Sequence, residues 1–127
     1  MSTTGPVTQK VITLCQEIAK DTQFKLYRKN VLNFIKDKEQ NQDYFDLLDF
    51  QSQLEEKMNG GEEVTAEESE KLEKLGEVAF SSQAALDFMH GQDALEQLQE
   101  LVDNAISFVV ENGEAPTLEY LTSIDED

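Results

Sequence analysis

The stretch Asp93-Ala94-Leu95-Glu96-Gln97-Leu98-Gln99-Glu100-Leu101-Val102-Asp103-Asn104-Ala105-Ile106 decides the fold class. Leu95, Leu98, Val102, Ala105 and Val109 recur at steps of three and four, with Glu, Gln and Asp between them, which is the pattern of a helix with one apolar face. Strong helix formers continue on its N-terminal side through Leu72, Leu75, Ala79, Leu86 and Met89, and a phase change falls around His90-Gly91-Gln92-Asp93. Two readings of that change stay open: a bend at Gly91 within one helix, or Asp93 capping a further helix. Thr65-Ala66-Glu67-Glu68 is a capping box that starts this region. Asn112-Gly113 ends it, and Pro116 prevents its resumption.

Upstream, no Pro or Gly occurs between Pro6 and Gly60. A first helix is predicted from Val7 to Lys38, carried by Val11, Leu14, Cys15, Ile18, Tyr27, Val31, Leu32 and Ile35, with a bend or break at Asp21-Thr22-Gln23. After a polar connector from Glu39 to Asp43, Tyr44, Leu47, Leu48, Gln51, Leu54 and Met58 trace a second helix, closed by Asn59-Gly60-Gly61. The expected architecture is all-α: one domain over residues 1–127, an elongated bundle of three to four long amphipathic helices. Within it, residues 1–6 form a flexible start, 7–116 the helical body and 117–127 an acidic tail with a short turn at Leu118 to Leu121.

Twenty-seven Asp and Glu against ten Lys and Arg leave a formal charge of −17 and a pI near 4.2. Such a surface repels phosphate backbones and anionic lipid, so direct nucleic-acid or membrane binding is not expected. The charge is asymmetric: residues 1–38 hold seven basic and three acidic side chains, and residues 39–127 hold three basic and 24 acidic. The N-terminal segment is therefore expected either to lie against the acidic remainder, in its own or a neighbouring subunit, or to form a solvated basic face. No window approaches the roughly 18 apolar residues of a membrane span, and the start lacks a basic region followed by an apolar stretch. A cytoplasmic protein is the reading.

The chemistry-bearing residues are few. There is no Gly-rich phosphate loop, His-Glu-x-x-His pair, calcium-loop spacing or Cys-x-x-Cys pair. Asp87-x-x-His90 matches half of a di-iron spacing, but His90 is the single histidine, so it reads as a capping or surface residue. Cys15, the single cysteine, falls on an apolar stripe and reads as a buried structural thiol. Ser81, Ser82 and Thr65 have no base at a usable spacing, and the carboxylate pairs lie in polar runs, so no enzyme, metal site or cofactor is expected.

A helix of about 30 residues spans about 45 Å, which outruns what so short a chain can cover by itself. Self-association into a dimer or higher oligomer is expected, with Phe80, Phe88, Gln92, Leu95, Leu98, Val102 and Ile106 as candidates for the partner or oligomer interface.

The segment Phe88-Met89-His90-Gly91-Gln92-Asp93-Ala94-Leu95, followed by Leu98, Leu101-Val102, Ala105-Ile106 and Gly113-Glu114-Ala115-Pro116-Thr117, resembles the YlbF/YmcA family of small helical bacterial regulators. Leu14-Cys15-x-x-Ile18, the Phe34 to Leu48 stretch, Gln51-x-x-Leu54 and Gly60-Gly61-x-x-x-Thr65 fall in the same order, so the resemblance covers residues 8 to 117. It implies a non-enzymatic, cytoplasmic, all-helical protein acting through protein complexes, family relatives among the partners. Such complexes affect competence, biofilm formation, sporulation and ribonuclease Y-dependent mRNA processing. Some relatives carry iron–sulfur clusters on cysteines; here Cys15 brings at most one ligand per subunit, so no cluster is expected. The alternative reading is an acidic decoy that imitates a polyanion and occupies a nucleic-acid-binding protein.

Overall fold

The computed structural model describes residues 4–124. Among them it contains six helices and no strand: α1 Pro6–Lys20, α2 Thr22–Lys36, α3 Gln42–Asn59, α4 Ala66–Ala79, α5 Gln83–Asn112 and α6 Leu118–Ile124. The all-α class is the one expected; the expectation of three to four long helices is corrected to six, of which α5 alone reaches 30 residues.

Two breaks and the turn in the tail account for the difference, the first break falling at Asp21, where a bend or break was expected. The N-terminal helix divides at Asp21, whose backbone is extended and whose N–H closes α1 on the Ile18 carbonyl. The same residue opens α2, because its carboxylate accepts the Phe24 N–H at 2.9 Å. The second break lies at Phe80–Ser82, ahead of the Gly91 bend or Asp93 cap read from the sequence; the reading of Asp93 as the cap of a further helix is corrected. Ser81 Oγ donates to the Val78 carbonyl at 2.8 Å, and Ser82 Oγ accepts the Ala85 N–H at 3.1 Å. Helix α5 then runs unbroken through Gly91 and Asp93. Its C-terminus is where expected: Gly113 sits at φ 73°, and its N–H bonds to the Val109 carbonyl. The short turn in the tail is α6, started by Thr117 Oγ1 accepting the Tyr120 N–H at 3.1 Å and held on α5 by Tyr120 against Phe108. Of the flexible start read for residues 1–6 and the acidic tail read for 117–127, residues 1–3 and 125–127 lie outside the described residues, and Pro6 already belongs to α1.

Four aromatic rings from four elements form the junction of the fold. Phe34 of α2 stacks on Phe88 of α5 with ring centroids 4.3 Å apart, and Tyr44 of α3 meets both edge-on at 5.2 and 5.0 Å. Phe80, at the end of α4, meets Tyr44 at 6.0 Å. Edge-on and offset rings are the arrangements the ring quadrupole favours. Burial there pushes the Tyr44 phenol above its ordinary range. The Asn41 side chain seals one side by donating at 2.8 Å to the Phe34 carbonyl, one of the α2 carbonyls that the helix end leaves without a partner.

Two helix pairs leave this junction. In one, α3 and α4 close on buried Leu47, Phe50, Leu54 and Ala79, with Lys71 Nζ 4.6 Å above the Phe50 ring. The capping box read from the sequence is formed, and Glu68 also bonds Lys57 across the pair. That Lys57 hydrogen bond, with the Thr65 N–H, holds the Glu68 carboxyl down at about 2. Because its folded value lies below the ordinary 4.5, its contribution is complete above that value and is lost as pH falls toward about 2. Helicity of wild type and Glu68→Gln is thus expected to differ at neutral pH and to converge on acidification. A gap that persists at the acid end would contradict the assignment.

In the other pair, α2 lies antiparallel on α5. Gly91 makes the close approach: a Cβ there would stand 2.9 Å from the Tyr27 carbonyl oxygen and 3.1 Å from Val31 Cγ2. Helix α1 adds no buried residue. Of the ion pairs among the described residues, Glu17–Lys20 and Glu70–Lys74 are local and exposed, and Lys57–Glu68 joins α3 to α4. Among the described residues none links the basic N-terminal segment to the acidic remainder.

Candidate functional site

The α2–α5 pair is closed at the aromatic junction and open beyond it. There Phe24 and Leu32 of α2 and Leu95, Leu98 and Val102 of α5 line a solvent-open trough of about 770 Å³, with Arg28, Gln99 and Asp103 among its polar lining. Its opening follows from length: α2 has 15 residues and α5 has 30, so the C-terminal half of α5 runs past the start of α2. Ile18 of α1 reaches the trough, and a second hollow continues from it past Glu17, Phe24 and Ala94.

The structure separates the seven interface candidates. Leu95, Leu98 and Val102 line the trough together. Ile106 lies on the same helix, 58% exposed, and Gln92 is exposed in the α5 body. Phe80 belongs to the aromatic junction. Phe88 is 1% exposed, so its stacking on Phe34 assigns it to the core of its own chain rather than to a surface. Phe24, Arg28 and Leu32 complete the trough but were not candidates; their signal was their spacing of four, which puts the three on one face of α2.

Beside the trough, α1 presents Val7, Val11 and Leu14 to solvent, with Val11 52% exposed. Cys15 is exposed on that helix, which corrects its reading as a buried thiol: α1 has no layer above it within the chain. His90 is exposed on α5, and Asp87 accepts a hydrogen bond from Gln83 Nε2 at 2.9 Å. Among the described residues no three metal-ligating side chains converge, and no helix is long and apolar enough to cross a membrane.

Fold and face together define an all-helical scaffold with an open apolar surface along its one long helix, α5, and the shorter α1 and α2. The chain belongs to the family described as control of competence regulator ComK, YlbF/YmcA, which it matches over residues 7–111, from the start of α1 to the end of α5. That description points to a regulatory role. Comparison with curated proteins and with solved structures finds no match.

Proposed function

We propose that this chain is a non-enzymatic, cytoplasmic regulatory adaptor that works by assembling with other proteins. Its place is that of the YlbF/YmcA regulators of competence, biofilm formation, sporulation and ribonuclease Y-dependent mRNA processing. No cofactor takes part. The observation that carries the reading is surface area. The chain exposes 9916 Å², whereas a compact monomer of its 14.4 kDa exposes about 6,800 Å². Exposed large apolar side chains stand on α1 (Val7, Val11, Leu14) and on the end of α5 (Ile106, Val109, Val110), beside the apolar trough, and contiguous apolar surface favours contact with other proteins. The acidic surface adds selectivity for basic partners and raises association rates.

Affinity capture from native cytosol tests this, with nuclease-treated and high-salt arms. Retention of family relatives or of an RNA-processing enzyme through both treatments is the expected result, because apolar contacts are little screened by salt. Recovery of nucleic-acid-binding proteins alone, lost at high salt, would replace the adaptor reading with that of a polyanion-like decoy.

A further inference from the structure

We infer that the occupant of the trough is α1 of a second copy of this chain, so that two copies exchange their N-terminal helices about a two-fold axis. The inference rests on the adaptor reading and names its first partner. Val7, Val11, Leu14 and Ile18 follow steps of four, three and four, and Leu95, Leu98, Val102, Ala105 and Val109 follow steps of three and four. Both are heptad seams, the pattern by which one helix seats its side chains between those of another. Within one chain the two seams meet only at the last turn of α1, where Ile18 reaches Leu95 and Leu98. The connection explains why: Asp21 is the single residue between α1 and α2, and an antiparallel helical hairpin needs roughly two to five connecting residues. Helix α1 cannot fold back along α2 to cover its own trough. A second copy can.

Charge and area favour the same occupant. Helix α1 carries Lys10 and Lys20 against Glu17, and no Lys or Arg follows Lys74, so all of α5 is without one. Lys10 and Lys20 of α1 arriving at the acidic α5 of another copy supply a complementarity that no ion pair among the described residues provides. The surface beyond that of a compact monomer is roughly 3,000 Å², and a standard stable interface buries about 1,600 Å² in total. Reciprocal exchange also repeats each contact, so a single substitution acts twice.

The test is the mass in solution of purified full-length chain by analytical ultracentrifugation, with three variants of the experiment. Wild type is expected to sediment as a dimer. Leu14→Glu, on a helix with no buried residue, is expected to retain its helicity and weaken the dimer by roughly a hundredfold or more, since the charge is introduced at both contacts. Leu98→Lys is expected to do the same from the trough side. Mixing the two monomeric variants is expected to restore dimers, because the intact α1 of the Leu98→Lys chain meets the intact trough of the Leu14→Glu chain. A monomeric wild type, a dimer indifferent to Leu14→Glu, or a mixture no heavier than its components would each overturn the exchange. Partner capture reports separately: a monomer that still captures family relatives overturns the exchange alone, and a dimer that captures none leaves the exchange standing and overturns the adaptor reading.

Discussion

Phe88→Ala is expected to lower the melting temperature by roughly 10–25 °C, from a loss of about 3–5 kcal/mol. The ring is almost fully buried, stacks on Phe34 and receives the edge of Tyr44. Its removal leaves a cavity where α2, α3 and α5 converge, and total stabilities of such domains are only about 5–15 kcal/mol. Phe88→Leu, which retains most of the volume, is expected to recover much of the loss. Thermal unfolding followed by circular dichroism checks both, and an alanine variant that melts with wild type would contradict the junction as the centre of the fold.

The second large effect is a reversal of sign between two glycines in helix interiors. Replacing an interior helical Gly with Ala ordinarily stabilises by about 0.5–1 kcal/mol. Gly76→Ala is expected to do so, since nothing lies within 4 Å of the added methyl group. Gly91→Ala is expected to destabilise by about 1–3 kcal/mol, because its methyl would stand 2.9 Å from the Tyr27 backbone oxygen and backbone cannot swing aside as a side chain can. Denaturant melts of the two variants, read as midpoint shifts in opposite directions, test the close approach of α2 and α5. Stabilisation by both would mean that the helices are not in contact there.

These glycines show where sequence reading succeeds and where it stops. Local chemistry is legible: the Thr65 capping box, the Asn59-Gly60-Gly61 stop and the Gly113 cap all appear at the residues that carry them, since each depends on neighbours three or four positions away. Gly91 was not legible as what it is. A glycine after a phase change reads as a bend, whereas its role is to let another helix approach, and that partner lies more than sixty residues earlier in the chain. The break at Ser81-Ser82 was present as a Ser cap, but the apolar positions on both sides kept a helical spacing that masked it. Among the interface candidates, periodicity found the apolar face of α5 but could not divide it. Phe88 lies opposite α2 and Leu98 lies in the trough for one reason, the shorter length of α2. Cys15 failed similarly, because a stripe announces that a face should be covered without saying which chain covers it.

The central claim is that the apolar face of α1 is completed by another chain. A helix of 15 residues with none of its side chains buried is marginal in water, so its backbone amides report directly on whether it is covered. Hydrogen exchange of residues 6–20, measured across a concentration series, is the decisive reading. Protection of α1 is expected to rise with protein concentration while the amides around Phe34 and Phe88 stay equally protected throughout. Strong protection of α1 at every concentration, independent of dilution, would show that its own chain covers it and would contradict the account.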